Sequence, residues 1–181
     1  DVERSRGLGD VYKRQGYDLN NVQVSELIQA GQAERFEVTA YQYMPSFHME
    51  HCVFAAFLSK GSSFKDCGKP CEKHDVKLKD QFGNWHQIKP DQECRNTMYN
   101  GTSQSAARYV KEWESHGLGF IRYEALKERG NELITKIQAH LDFIKGNKEL
   151  TELIKDLGNV ESYGLSESHF QREKEYQSRK K

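Results

Sequence analysis

The four cysteines constrain this chain more than any other feature, because all of them fall in one segment. Their spacing is Cys52-x14-Cys67-x3-Cys71-x22-Cys94, and the whole sequence contains 4 cysteines. Thiols grouped in this way share a metal, form disulfides or are unrelated buried side chains. The segment around them is polar and contains Gly68 and Pro70, which fits unrelated buried cysteines poorly. The grouping therefore predicts one shared centre.

Three kinds of shared centre compete, and the spacing ranks them. Disulfides require an oxidising compartment, and the N-terminus lacks the basic-then-apolar order of a secretory signal. Structural zinc usually has ligand pairs two to four residues apart, and only Cys67 and Cys71 are that close. An iron–sulfur cubane accepts irregular spacing, because each thiolate binds a different iron atom. Spacing alone places a [4Fe-4S] cluster slightly ahead of zinc, with disulfides third.

The composition is that of a polar globular protein. Hydrophobic residues make up 36% of the chain and charged residues 30%, with a mean hydropathy of −0.89. Basic and acidic residues balance at 27 each, so net charge gives no argument for nucleic-acid binding. The sequence has no apolar run of about 18 residues, the length of a membrane span. We therefore expect a cytoplasmic protein with no membrane partner.

Apolar periodicity and turn residues predict strands and helices on both sides of the cysteine segment. Helices are predicted over 22–30, 105–116, 131–145 and 148–157, strands over 36–41 and 120–124, and a hairpin joining 76–78 to 85–88 through Gly83. Alternating strands and helices are typical of an α/β fold with parallel strands. We expect the C-terminal part of a (β/α) barrel with an inserted cysteine-rich, hairpin-containing metal-binding subdomain.

This reading divides the chain into five segments. They are a leader, 1–15, that we treat as unrelated or artefactual; barrel βα elements, 16–45; the cysteine-rich metal-binding insertion, 46–103; barrel βα elements and C-terminal helices, 104–158; and a polar tail, 159–181. Two strands do not complete a barrel, so we expect a C-terminal fragment whose N-terminal barrel half is missing. The insertion directly follows a strand, which predicts a position on the functional face of a barrel.

Three blocks of sequence around the cysteines carry a family resemblance. They are MEHCVFAAFLS at 49–59, DCGKPCEKH at 66–74 and DQECRNT at 91–97. Together they resemble the collagenase-like peptidase family of unknown catalytic type, and most closely its bacterial branch that hydroxylates a cytidine of large-subunit ribosomal RNA. The similarity runs from about Tyr17 to the C-terminus and agrees in three separate blocks in order.

The resemblance implies a (β/α) barrel, a [4Fe-4S] cluster and an RNA substrate. By position, Cys52, Cys67, Cys71 and Cys94 match the cluster ligands of the family. Better-understood members support oxygen-independent hydroxylation of RNA or of a quinone precursor, which implies ribosomal or transfer RNA as partner and a small-molecule hydroxyl donor. The first hypothesis is therefore an iron–sulfur RNA-modifying protein. Alternatives are a collagenase-like peptidase and a non-catalytic zinc-stapled module.

Polar residues beside the cysteines are the remaining candidates. Glu50 and His51 precede the first ligand and suit an acid–base pair, or they are structural polar groups. His48 and His51 are three residues apart rather than the four that two zinc ligands on one helical face require, which disfavours a zinc protease. Candidates for substrate binding are Arg95, Asn96, His48 and Tyr43. Arg95 and Asn96 could instead form a salt bridge and a loop cap. Tyr43 could instead pack in the core.

Overall fold

The computed structural model describes residues 13–14, 19–61 and 65–158. In chain order its elements are β1 (Lys13–Arg14), α1 (Asn21–Ala30), β2 (Phe36–Gln42), β3 (Pro45–Met49), α2 (Val53–Leu58), β4 (Val76–Lys79), β5 (Trp85–Pro90), β6 (Asn96–Tyr99), β7 (Gln104–Ser105), α3 (Val110–Ser115), β8 (Phe120–Tyr123), α4 (Gly130–Ile144) and α5 (Leu150–Leu157). The protein is therefore mixed α/β, with two small sheets. The polar tail predicted over 159–181 lies outside the described residues.

The chain forms two compact units. The first contains the residues before Tyr43 and after Ser103, and the second is Tyr43–Ser103. The predicted insertion, 46–103, falls within the second unit. The strand β1 lies in the leader that we set apart from the fold, yet its backbone pairs in parallel with the start of β2. The rest of the predicted leader lies outside the described residues.

Strand β2 is the centre of the first unit's sheet. It pairs in parallel with β8 along most of its length, and in antiparallel fashion with β7 at its C-terminal end. The parallel β2–β8 pair is the relation that the alternating βα pattern predicts. Burial does not alternate along β2, because Thr39 is buried as well as Val38 and Ala40. A strand that is covered on both faces loses that alternation.

Helix α1 packs on this sheet, and local sequence sets where it starts. The Asn20 side chain accepts a hydrogen bond from the Gln23 backbone N–H at 3.0 Å, and the Gln23 side chain accepts from the Asn20 N–H at 3.0 Å. This reciprocal capping box satisfies two backbone donors at the start of the helix. The core of the unit then brings α1, β2 and α3 together through Val24, Ile28, Val38, Ala40, Ala106, Val110 and Trp113.

One predicted helix starts later than expected, and another buries residues other than its large aliphatic ones. The helix predicted over 105–116 begins only at Val110, because Gln104 and Ser105 are used as strand β7 against β2. In α4, which was predicted over 131–145, the buried residues are not the large aliphatic ones: Ile134 is 65% exposed, whereas Ala139, His140 and Phe143 are buried. Tertiary packing therefore selects a different face of α4 from the one with the largest aliphatic side chains.

A buried polar network lies at the C-terminal ends of β2 and β8. The Glu128 side chain is inaccessible to solvent and accepts hydrogen bonds from the Tyr41 hydroxyl at 2.8 Å and from Lys136 Nζ at 3.1 Å. Burial alone would raise the pKa of Glu128, but these bonds outweigh it and lower the pKa to about 2. Tyr41 stacks on Tyr123, and the buried His140 ring meets both edge-on.

The second unit contains an antiparallel sheet with strand order β3-β6-β5-β4. The predicted hairpin is confirmed, with Val76 opposite Ile88 and Lys79 opposite Trp85. Its turn is fixed by Asp80, whose carboxylate accepts hydrogen bonds from the backbone N–H groups of Phe82 and Asn84. The hydrogen bond from the Asn84 side chain, together with these backbone bonds, lowers the pKa of Asp80. Among the described residues, no helix combines the length and apolar composition needed to cross a membrane.

Candidate metal centre

Three of the four cysteines of the second unit, Cys52, Cys67 and Cys94, line a cavity of about 660 Å³. Cys52 precedes α2, Cys67 lies in a turn, Cys71 lies in the short 3-10 helix Pro70–Glu72, and Cys94 lies in the turn before β6. All four are half-buried thiols. The cavity walls are formed by Glu50, His51, Cys52, Ala55, Ala56, Gly61, Cys67, Gln92, Glu93 and Cys94. Tertiary structure therefore brings three of the four predicted ligands to one cavity, although they are far apart in sequence.

Cys52 is held by donors on two sides of its sulfur. It occupies the N-cap position of α2, where its Sγ accepts a hydrogen bond from the Ala55 backbone N–H at 3.4 Å. The Asn96 amide nitrogen contacts the same sulfur at 3.9 Å, and the Asn96 amide oxygen accepts from the Val53 N–H at 2.7 Å. Asn96 is buried at the start of β6, so it ties the loop of the first cysteine to the sheet.

The turn that presents Cys94 is organised by Asp91. The Asp91 carboxylate accepts hydrogen bonds from the backbone N–H groups of Glu93 and Arg95, both at 2.9 Å, and from Arg95 Nε at 2.8 Å. Cys94 itself has a φ of 65°, the left-handed region that costs a residue with a Cβ free energy. The hydrogen-bonded turn therefore holds the cysteine in a backbone conformation that it would rarely adopt alone.

A second turn presents the close pair Cys67 and Cys71. The Lys69 backbone N–H donates to Cys67 Sγ at 3.4 Å, and Lys69 also has a positive φ of 50°. The buried Pro70 then starts the 3-10 helix that carries Cys71, which suits proline because its φ is already near the helical value. The side chain of Lys69 pairs with Glu72 at 3.0 Å on the surface. Local sequence therefore sets the backbone conformation that positions both thiols.

The electrostatic interactions of Cys94 indicate which thiols lie near it. Partial burial raises the pKa of Cys94, and the charges of Cys52, Cys67 and Cys71 raise it further. Like charges raise each other's pKa only when they lie near one another. Cys71 therefore lies near Cys94, although it does not form part of the cavity wall.

The donor set fits an iron–sulfur cluster or zinc, because both bind thiolates. N–H donors to ligand sulfurs, such as those on Cys52 and Cys67, are also typical of iron–sulfur sites, where they tune the cluster potential. In the described part of the chain, no three His, Cys, Asp or Glu side chains are already arranged to hold a single metal ion. The fit therefore rests on the type and grouping of the donors.

The other predicted site residues separate into two groups. Glu50 and His51 line the cavity beside Cys52. Arg95 pairs with Asp91 at 2.8 Å and with Glu93 at 2.9 Å, so its observed partners are carboxylates of its own turn. Tyr43 is buried, and His48 is exposed on β3 with its Nδ1 3.0 Å from Thr97 Oγ1.

Sequence reasoning missed part of the cavity wall. Gln92 and Glu93 line it, and Asp91 supports it, yet none was a candidate. The Asp91 carboxylate accepts from the Glu93 N–H, two residues on, which forms an Asx turn; an aspartate in a polar loop is the sequence signal for such a turn. Ala55 and Ala56 gave no such indication, because small apolar residues on a short helix look the same in a core and in a cavity wall.

Compared with protein-family models, curated proteins and solved structures, the chain has no significant match.

Proposed function

We propose that Cys52, Cys67, Cys71 and Cys94 hold a [4Fe-4S] cluster, and that the protein supports hydroxylation of a pyrimidine in ribosomal or transfer RNA. The observation that carries the proposal is the grouping of the thiols, from three separate loops: Cys52, Cys67 and Cys94 line one cavity, and Cys71 lies near Cys94. The three sequence blocks that resemble the collagenase-like peptidase family supply the reaction class. A [4Fe-4S] cluster provides an electron carrier or an iron-based Lewis acid when it is bound.

The packing of the second unit supports a metal independently of the resemblance. Its buried large apolar side chains are Tyr43, Phe54 and Ile88, while six others in the described residues are exposed: Phe47, Phe57, Leu58, Leu78, Phe82 and Trp85. Domains below roughly 70–80 residues rarely obtain enough stability from such a small core and use disulfides or a metal instead. The thiols are not paired in disulfides, so a metal is the stabilising element that their positions suit.

Glu50 and His51 are the residues that we propose for proton transfer. Both line the cavity next to Cys52, within reach of a molecule bound there. A carboxylate and an imidazole can act as a general acid and base when both reach the same bound molecule. In this proposal Asn96 and Asp91 do not contact the substrate. They position the loops of Cys52 and Cys94.

The fold element of the proposal is part of a (β/α) barrel. The parallel pair β2–β8 supports it, and the second unit follows the C-terminal end of β2 in the chain. In (β/α) barrels the loops after the C-terminal ends of strands carry the functional groups. The second unit begins at such a position, directly after the C-terminal end of β2.

Anaerobic reconstitution with iron and sulfide tests the cluster. We expect about four irons and four sulfides per chain, with broad visible absorption, because the ligand set is four thiolates. The variant Ala56→Ser is the matched control, since it adds a hydroxyl to the same cavity wall without removing a thiol. One tightly bound zinc per chain and no colour would support the zinc-stapled module instead.

The reaction is tested separately, in cells with and without the gene that encodes this chain. Mass spectrometry of nucleosides from ribosomal and transfer RNA should show one hydroxylated pyrimidine that disappears with the gene and returns with the wild type. A gene copy carrying Glu50→Gln should return it weakly. An unchanged nucleoside profile would reject the assignment, and proteolysis that survives replacement of all four cysteines by serine would favour a peptidase.

A further inference from the structure

One face of the second unit's sheet is basic and carries an exposed tryptophan. Residues directly opposite each other in an antiparallel pair point to the same face. The register pairs Lys77 with Gln87, Lys79 with Trp85, Lys89 with Thr97, and Thr97 with His48. We define the basic face as Lys77, Lys79, Trp85, Gln87, Lys89, Thr97 and His48. Asn96, which holds Cys52, belongs to the opposite face.

The basic face has little compensating negative charge. None of the positions that point to this face in the described strands β3 to β6 is acidic. The neighbouring Asp75, just before β4, pairs with Lys89 at 2.8 Å. Lys77 and Lys79 lie on the edge strand β4 and are exposed. The face therefore presents positive charge to solvent, although the whole chain is neutral.

Protection of the sheet edge against pairing with other sheets does not explain the exposed Trp85. Lysines on an edge strand prevent pairing with other sheets, and this would account for Lys77 and Lys79 alone. Trp85 is 57% exposed, however, and an exposed indole favours association. Lys79 Nζ lies 5.4 Å from the centre of the Trp85 ring, so a cation and an aromatic surface are presented together.

We propose that the basic face binds single-stranded RNA, with a base stacked on Trp85 and phosphates on Lys77 and Lys79. Sheets that bind single strands combine these two features, because every base has an aromatic face and every phosphate a negative charge. Side chains two residues apart on β4 are about 7 Å apart along the strand, so they contact successive positions of an extended chain. The choice of RNA among polyanions rests on the proposed function. The face itself is independent of the cysteines.

The test measures binding of the full 181-residue chain to a fluorescent single-stranded oligouridine of about 12 nucleotides, at several salt concentrations. Replacing Lys77 and Lys79 by glutamine should reduce the slope of log affinity against log salt by roughly 1.4, because each lost phosphate contact contributes about 0.7. The matched control replaces Lys145 and Lys155, which are exposed on the first unit, and should leave the slope unchanged.

The tryptophan is tested with two substitutions. Trp85→Ala should weaken oligouridine binding on the order of tenfold, whereas Trp85→Phe should retain most of it, because phenylalanine still stacks. The inference is overturned if the wild type does not bind, or if these variants bind like the control. Equal binding of poly-glutamate would also overturn it in favour of an acidic polypeptide partner. Iron content separates the two proposals: a chain without iron whose RNA binding needs Trp85 rejects the cluster and keeps the basic face.

Discussion

The two units of this protein are stabilised in different ways. The first buries a continuous apolar core around Trp113, drawn from two helices, a central strand and the turn before α3. The described part of the second buries three large apolar side chains, Tyr43, Phe54 and Ile88, and exposes six. Its loops are fixed by carboxylates and amides, such as Asp80, Asp91 and Asn96. Hydrophobic burial is the main favourable term in folding. The first unit therefore has a source of stability that the second largely lacks.

The difference indicates what each unit needs in order to fold. A core that excludes water stabilises its unit without any ligand. Polar turns fix local geometry, but each hydrogen bond adds little net stability, because it replaces bonds to water. In the second unit the four thiols lie on three loops, which a shared metal would join. We therefore expect the second unit, and not the first, to depend on metal.

The largest expected effect comes from removing two thiols. Replacing Cys67 and Cys71 by serine should destabilise the metal-loaded second unit on the order of 10 kcal/mol, the scale of structural metal sites, because it removes half of the ligands. Hydrogen exchange should show lost protection in β3 to β6 and unchanged protection in β2 and α1. Ala56→Ser is the control. Equal loss in both units would show that they fold as one.

A smaller effect, confined to the other unit, is expected at Trp113. This side chain is fully buried, and its indole N–H donates to Ser25 Oγ at 3.1 Å. Trp113→Ala should lower the free energy of unfolding of the first unit by about 4 kcal/mol, because it leaves a large cavity. Denaturant unfolding measures the loss, and iron content should stay at the wild-type value. Phe120→Ala, at an exposed position, should change stability little. An iron loss in Trp113→Ala would contradict the separation of the two units.

The smallest effect concerns acid stability of the first unit. Glu128 has a pKa of about 2 when folded and 4.5 as its ordinary value, so its ionised form stabilises the fold above pH 4.5. That contribution, on the order of 3 kcal/mol, should disappear as the pH falls from 4.5 through 2. Denaturant midpoints measured against pH should show the loss in the wild type.

The substitution Glu128→Gln isolates this carboxylate. It keeps an acceptor for Tyr41 and removes the titrating group, so the loss below pH 4.5 should be much smaller. Burial also lowers the pKa of His140, whose protonated form is disfavoured in the fold, so a weaker loss should begin below pH 6.5 in both proteins. An identical pH dependence below 4.5 would show that Glu128 does not carry the effect.

Some features of the fold followed directly from local sequence. The start of α1 follows from the Asn20–Gln23 capping box, and the hairpin follows from alternating residues around the Asp80–Gly83 turn. The parallel β2–β8 pair follows from the order of strands and helices. The buried face of α4 did not follow, because aliphatic residues occur on more than one side of that helix and only its neighbours select among them. The predicted start of α3 at residue 105 was wrong, because Gln104 and Ser105 form β7 and pair with β2.

By itself, the sequence determined which chemistry is available at the site: four thiols in one polar segment, with an acidic residue and a histidine before the first. It determined this because donor type and local turn preference are properties of short stretches of chain. Only the tertiary structure decided that Cys52, Cys67 and Cys94 line one cavity with Glu50, His51 and Glu93, and that Asn96 and Arg95 bond to loops instead. These relations join residues from distant loops, and sheet register and burial set them. The same register placed Trp85 and Lys79 together on an exposed face.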